Sequence, residues 1–170
     1  LVYAVMNAFY IACSSFVGQN YGAGKAERVR KSYLLTLGYS AFIAGFFGML
    51  FLLFGREFLS LFTSESAVID AGLERIRIMC FVFPLSALMD DTTAAARGIG
   101  KGLVPMIFVF LGSCVFRVIW IYTVFAYFHT ISSLYLLYPF SWIITGAAEI
   151  FYFLYCYKKI VVPLGASRKA

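Results

Sequence analysis

The sequence predicts an all-α protein, a polytopic membrane bundle of five transmembrane helices. Composition is the first observation: of 170 residues, 62% are hydrophobic and only 13% are charged, and the mean hydropathy is +0.88. Soluble domains carry about a quarter charged residues, so this class is excluded. The second observation is a series of apolar runs near the length of about 20 residues that a helix needs to cross a bilayer. The third is the uneven distribution of basic residues between those runs.

Five runs qualify or nearly qualify as spanning helices. The third is the weakest, because it runs into Asp90-Asp91-Thr92-Thr93, which could instead be a loop after a short helix. Together the runs form a membrane domain over residues 1–157, followed by a basic tail over residues 158–170. The predicted spans are residues 1–17, 32–55, 78–96, 103–128 and 132–157.

The charges of the loops decide whether the third run crosses. If all five runs cross, ten basic residues share one face of the membrane and three lie on the other; without the third crossing the division is four against nine. Basic residues concentrate in cytoplasmic loops, so the sequence predicts five crossings and a cytoplasmic tail in the plasma membrane. The ten are Lys25, Arg28, Arg30, Lys31, Arg97, Lys101, Lys158, Lys159, Arg168 and Lys169, and the three are Arg56, Arg75 and Arg77.

The most polar stretch, GQNYGAGKAERVRK at residues 18–31, is predicted to be a cytoplasmic turn between two spans. Its glycines predict breaks at Gly18, Gly22 and Gly24, after which a helix restarts. A phosphate-binding P-loop is excluded by spacing, because Gln19 stands where the motif needs glycine and Ala26 where it needs a hydroxyl.

The long outer connection at residues 55–77 is predicted to contain a short interfacial helix. Thr63-Ser64-Glu65 offers an N-cap with an acid in the first turn.

Several function classes are excluded by the residue pattern. The four cysteines lie in apolar runs without metal-ligand spacing. His129 is interpreted as a residue of an outer loop. The pattern contains no paired nucleophile and base, so we expect no enzymatic activity and no cofactor. The net charge of +6 is assigned to the headgroup region of the lipid bilayer, so no nucleic-acid partner is expected.

Ionisable residues inside a spanning helix are costly and are functional candidates by default. Asp90 shares a polar helix face with Ser86, Thr93 and Arg97, so we expect it to face a cavity. Asp91 instead lies on a stripe of small residues, which predicts close helix packing and a structural hydrogen bond.

Polar stripes on four helices predict a shared cavity. The ion-coupling candidates are Asp90 and Glu149, which lie at similar depths of roughly 9 and 12 Å from the cytoplasmic ends of their helices at about 1.5 Å per residue. The commoner explanation of Ser, Thr, Asn and Tyr stripes, hydrogen bonding between helices, stays open. The cavity-lining candidates are Asn7, Tyr10, Ser14, Ser86, Thr93, Arg117, Trp120 and Thr145, with Tyr3, Ser141 and Tyr152 on the same stripes.

Arg117 lies deeper, at roughly 21 Å by the same count. Its guanidinium could lie over the Trp120 indole or pair with a carboxylate. In the second case Arg117 would neutralise an acid and the charges would only hold the bundle together. Two nearby carboxylates without such a partner would instead suit proton or cation exchange near neutral pH.

Four segments resemble motifs of the bacterial branch of the multidrug and toxic compound extrusion (MATE) family. In order and spacing they cover nearly the whole chain. The resemblance implies two lobes of six helices, with this chain supplying the second to sixth helices of one lobe. The basic tail suggests the C-terminal lobe, so the N-terminal lobe would be a missing partner. The segments are GQNYGAGKAERVRK, LFTSESAVIDAGLERIRI, RGIGKGLVPM and CVFRVIWIYTVF.

The resemblance implies export of small organic compounds, often cationic, by antiport with H⁺ or Na⁺. Relatives often carry an acid seven residues before the Arg of R-G-x-G, the position of Asp90 relative to Arg97; Asp91 has no counterpart in that pattern. One alternative is a lipid-linked saccharide flippase of the same superfamily, for which more basic residues in the cavity would be expected. A second alternative is a membrane scaffold that transports nothing.

Overall fold

The computed structural model describes residues 2–167, without the side chains of residues 2, 3, 131 and 132. The predicted contributions of Leu1, Tyr3, Ser132, Arg168 and Lys169 therefore lie outside the described residues. The described chain is all-α, as predicted, and contains no strand. Its helices are α1 Val2–Gly22, α2 Ala26–Ser60, α3 Ser66–Cys80, α4 Phe83–Gly98, α5 Leu103–Phe128 and α6, which comprises Ile131–Cys156 and continues to Ser167.

The turn between α1 and α2 is shorter than predicted. α1 continues through Gly18 to Gly22, so the predicted break at Gly18 is wrong. Backbone N–H and C=O groups bond to each other within a helix whatever the side chains are. The polar GQNYG segment can therefore continue α1. The reversal occurs at Ala23–Lys25, where Gly24 has a left-handed φ of 71° that glycine adopts without steric cost.

The predicted third span is divided between two helices. The first residues of the predicted span, 78–80, belong to α3, which ends at Cys80. The chain turns at Phe81 and Val82 before α4 begins. Pro84, near the start of α4, has no backbone N–H, which suits a helix start better than a helix interior. The outer helix is thus 15 residues long and begins after Glu65, without a side-chain cap; the Thr63 hydroxyl accepts from the Glu65 N–H at 3.2 Å.

α5 and α6 are continuous helices with local π-helical turns. In α5 these turns are Leu111–Val115 and Ile121–Phe125, and in α6 the turn is Tyr157–Val161. α6 also contains Pro139 in its interior. The predicted tail is helical as far as Ser167, because Tyr157–Val161 continues the helix beyond the predicted end of the span.

α4 lies at the centre of the bundle and packs against α1, α2 and α6. Its contact surfaces are fully buried small residues, among them Ala87, Ala94 and Ala95. Small side chains allow helix backbones to approach closely, which replaces the hydrophobic driving force that is absent between helices in lipid. At the end of α4, Gly98 lies directly against the backbone of Ser14 in α1.

The basic connections meet at one end of the bundle. The Tyr157 hydroxyl donates to the Ala26 carbonyl at 3.1 Å, which places the end of α6 beside the start of α2. Gly18 lies against Gly98, so the connection after α4 is at the same end. This arrangement agrees with the common face that the charge count predicts.

Three helices in the described part of the chain are long and apolar enough to cross a membrane, judged by length and composition. They are α2, α5 and α6, over Ala26–Ser60, Leu103–Phe128 and Ser133–Ser167. Large apolar side chains cover their outer surfaces, with Phe42 69% exposed and Phe151 75% exposed, as expected for a lipid-facing surface. The count of five spans stays a prediction.

Substitution of Gly98 by alanine tests the contact between α4 and α1. An added Cβ would lie 2.7 Å from the Ser14 carbonyl oxygen and 2.9 Å from a Val17 methyl. Because backbone cannot yield as a flexible side chain does, we expect Gly98→Ala to destabilise the full-length protein by about 1–3 kcal/mol. Thermal unfolding of the purified protein in detergent measures this.

Gly38→Ala in α2 is the matched control for this substitution. A Cβ at Gly38 has no neighbour within 4 Å, and alanine has the higher helix propensity. An unfolding midpoint equal to or above that of the parent is expected. Equal midpoints for the two variants would contradict the close contact at Gly98.

Candidate functional site

Glu149 is a completely buried carboxylate in the middle of the bundle. It lies on α6 with 0% of its surface exposed. Its Oε1 accepts a hydrogen bond from the Thr93 hydroxyl of α4 at 2.7 Å. Its Oε2 is also buried and has no hydrogen-bond partner among the described residues. The site therefore has one satisfied oxygen and one free acceptor, and no cationic side chain pairs with it in the described part of the chain.

Asp90, three residues before Thr93 on α4, opens to a cleft of about 510 Å³. The cleft lies between α1 and α4, and its lining includes the Asn7 amide and the Tyr10 ring. Asp90 is close enough to Glu149 for the two carboxyl groups to interact electrostatically. The Tyr10 hydroxyl interacts electrostatically with both acids. The structure therefore brings the two ion-coupling candidates into one neighbourhood, with one open to the cleft and one closed.

Arg97 contacts Tyr10, one of the residues that line this cleft. Its guanidinium carbon lies 5.7 Å from the centre of the Tyr10 ring, and its side chain is exposed. Such a geometry is a cation–π contact. Tyr10 therefore interacts with a cation, Arg97, and shares the cleft with the carboxylate of Asp90.

Asp91 is buried in the interface of α1, α2 and α4, with 1% of its surface exposed. The small-residue packing predicted for it is present, and the Cys13 thiol lies 3.5 Å from its backbone carbonyl. Ser40 of α2 lies opposite the Asp91 side chain, but no donor meets hydrogen-bond geometry at either carboxylate oxygen. The structural role of Asp91 stays a prediction, supported by its burial and by the neighbouring Ser40 hydroxyl.

Arg117 contacts neither of its two predicted partners. Its guanidinium carbon lies 4.6 Å from the centre of the Tyr138 ring of α6, and its buried Nε is without a hydrogen bond. The Trp120 indole stacks on Phe140 at 5.3 Å and donates to the Ser133 carbonyl at 3.0 Å. Because α6 occupies the face of α5 that carries both residues, the contacts run between helices rather than along α5.

Several residues predicted to line the cavity lie in helix contacts instead. Ser86 is 1% exposed and donates to the Phe83 carbonyl at 2.9 Å. Thr145 is 2% exposed and packs directly against Gly112 of α5. The Ser14 carbonyl packs against Gly98. Helical spacing places these residues on a polar face, but neighbouring helices cover that face. Among the predicted residues, those that line the cleft are Asn7, Tyr10 and Asp90.

The sequence reasoning missed the polar residues of α2. The Tyr33 and Thr92 hydroxyls lie 2.9 Å apart, and the Tyr33 ring packs 4.6 Å from Phe153. Ser40 adds a buried hydroxyl without a partner. The signal was present, because Tyr33, Thr36 and Ser40 recur at helical spacing within an apolar run.

This arrangement can hold a proton or a monovalent cation. A carboxylate that is removed from water without a cation or donors is strongly destabilised, so it either takes up a proton or binds a positive ion. Glu149 has one such free oxygen, and Asp90 provides a nearby acid that opens to a cleft.

Replacement of Thr93 by valine tests the bond that holds Glu149. Loss of the hydroxyl leaves neither Glu149 oxygen with a donor, so we expect the full-length protein to lose about 1–3 kcal/mol of stability. Thr93→Ser keeps the hydroxyl and should retain most of that stability. Thr123→Val is the control, since the exposed Thr123 hydroxyl bonds only the Ile119 carbonyl of its own helix. Equal unfolding midpoints for Thr93→Val and Thr93→Ser would contradict a stabilising bond.

Comparison with known proteins gives the chain a family. A family model described as MatE matches residues 1–123. The chain is similar to an inward-facing conformation of a multidrug resistance MATE family transporter of the MOP superfamily, with a TM-score of 0.71 and 20% identity over 96% of this chain and 39% of that one. It is also similar to an outward-facing conformation of such a transporter, with a TM-score of 0.73 and 23% identity over 89% of this chain and 34% of that one.

The chain thus spans well under half the length of these solved transporters. At such identities the likeness shows the fold. A search among curated proteins found no match. The family model, however, covers more than two thirds of the 170 residues, and the chain therefore belongs to the MatE family of multi-pass membrane transporters.

Proposed function

We propose that the protein of which this chain forms part is a secondary active transporter. It exports small organic compounds, often cationic, across the plasma membrane in exchange for H⁺ or Na⁺. The observation that carries the proposal is Glu149, a fully buried acid with one oxygen bonded to Thr93 and the other unpartnered. An ion bound there stabilises one state of the bundle, and its release favours the other.

The cleft beside Glu149 supports a cationic substrate. Its lining combines the Asp90 carboxylate with the Tyr10 ring and the Asn7 amide. Carboxylates and aromatic faces both attract organic cations. Because Asp90 and Glu149 interact electrostatically, a cation at Asp90 weakens the hold of Glu149 on its own ion, which is the competition that antiport requires.

The two alternatives lack comparable support. A flippase for lipid-linked saccharides would need several basic groups along its cleft to bind a pyrophosphate, whereas this cleft is lined by Asp90 and Tyr10 and is approached by Arg97 through the Tyr10 ring. A scaffold would be expected to pair its buried charges, whereas Glu149 and Arg117 form no ion pair within the described residues.

The basic end of the bundle supports a cytoplasmic C-terminus, because basic residues favour that side.

Transport by the full-length protein in proteoliposomes tests the proposal. Efflux of a fluorescent organic cation is measured under an imposed pH or sodium gradient. We expect Glu149→Gln to reduce gradient-driven efflux by at least about tenfold, the factor that a loss of about 1.4 kcal/mol produces. Asp90→Asn should weaken both the substrate affinity and the coupling.

Glu57→Gln provides the matched control, because Glu57 is an exposed acid at the far end of α2. This variant should transport like the parent. Unchanged efflux by Glu149→Gln would remove Glu149 from the coupling mechanism. If neither gradient drove any solute in the parent protein, the proposal of antiport itself would be wrong.

A further inference from the structure

A second cavity lies at the opposite end of the bundle from the basic connections. It has a volume of about 440 Å³ and lies between α2, α3, α4 and α6. Its walls are mainly aromatic and sulfur-containing side chains, including Phe51, Phe58, Met79 and Phe83. Cavities of about 300–1,000 Å³ with apolar walls and few polar groups are typical of small-ligand sites.

Tight contacts around the cavity keep its walls in place. α3 is held against α2 by direct packing of Gly72 on the Leu59 side chain and by the Arg56–Asp70 ion pair at 2.8 Å. The break between α3 and α4 at Phe81 and Val82 separates the two helix axes at the cavity. The cavity opens at the surface of the bundle, so a ligand can enter it from the surrounding membrane.

The polar groups of the cavity are cationic or neutral. Arg75 contributes to the lining and forms no ion pair with any residue that the structure describes. Tyr138 lines the cavity from α6, and its ring carries the Arg117 guanidinium at 4.6 Å. Arg117 likewise has no carboxylate partner in the described chain. Two arginines without acidic partners therefore lie at or next to an otherwise apolar cavity.

A guanidinium at the edge of an apolar groove favours an amphiphile with an anionic headgroup. Guanidinium groups bind phosphate and carboxylate oxygens well, and apolar walls of this kind accept an acyl chain. Arg75 lies on α3, in the connection predicted on the outer face of the membrane, where lipid headgroups lie.

We propose that this cavity is a binding site for an anionic membrane lipid of the outer leaflet. The headgroup contacts Arg75, and one acyl chain lies against Phe51, Phe58, Met79 and Phe83. The occupied site stabilises the packing of α3 on α2 and α4. This inference is independent of the proposed transport reaction, because the cavity shares no lining residue with the Asp90 cleft.

Trp142 provides a local reporter for the lipid. It is 5% exposed, belongs to the same buried cluster as Met79, and lies 5.8 Å from Tyr138 between ring centres. The full-length protein is reconstituted into vesicles whose lipids carry brominated acyl chains, which quench nearby tryptophan. Two vesicle compositions are compared, phosphatidylglycerol and phosphatidylcholine with identical brominated chains. The Trp142 signal is the difference between the parent and Trp142→Phe.

We expect the Trp142 signal to be quenched at a lower mole fraction of phosphatidylglycerol than of phosphatidylcholine. Arg75→Gln should reduce this preference about fivefold, the factor for loss of about 1 kcal/mol per basic residue at a membrane surface. Arg77→Gln is the control, since Arg77 is exposed on the same helix, as Arg75 is, but does not line the cavity. It should keep the preference of the parent.

Equal quenching by the two lipids in the parent would overturn the proposal, as would equal losses in Arg75→Gln and Arg77→Gln. Native mass spectrometry of the parent and Arg75→Gln, with the same two lipids, gives the comparison without a tryptophan substitution. Transport assayed in parallel separates the two proposals, because loss of lipid preference with normal gradient-driven efflux concerns only this site.

Discussion

A hydrocarbon interior cannot solvate charge, and this constraint governs where the polar residues of the bundle lie. α4 carries most of them, and it lies in the centre, enclosed by α1, α2 and α6. Thr93 meets Glu149 on one side, and Thr92 meets Tyr33 on another. The small residues between them bring the neighbouring backbones close enough for such bonds. Among the described residues, the same close packing leaves Glu149 Oε2 without a hydrogen bond, and the proposed function places the exchangeable ion at this residue.

Much of this arrangement could be predicted from the sequence, and the limit of that prediction is physical. The apolar runs predict an all-α membrane protein, because backbone groups in lipid must bond within the helix. Helical spacing on α4 and α6 identifies Asp90, Thr93 and Glu149 as candidates. Spacing alone does not say which neighbour covers a polar face. Ser86 and Thr145 therefore lie in helix contacts, and Arg117 contacts Tyr138 rather than Trp120. The break at Phe81 and Val82 depends on how α3 packs on α2.

The two cavities separate charge along the bundle. The cleft near α1 contains Asp90 and lies close to the buried Glu149, whereas the cavity near α3 contains Arg75 and adjoins Arg117. An acidic cleft attracts cations, and a cationic cavity repels them and attracts anionic lipid. Under the two proposals, the cleft binds a cationic ligand and the cavity binds an anionic one, so the two ligands differ in sign.

The proposed antiport requires that Glu149 exchange an ion when substrate or Na⁺ binds. Infrared difference spectroscopy of the purified full-length protein tests this directly, because a protonated carboxyl group and a carboxylate absorb at separate frequencies. We expect addition of Na⁺ or of an organic cation to change the intensity of a carboxyl band. This response should be absent in Glu149→Gln and should be the same in Glu57→Gln as in the parent. A spectrum in which no band assignable to Glu149 responds to either ligand would contradict the account.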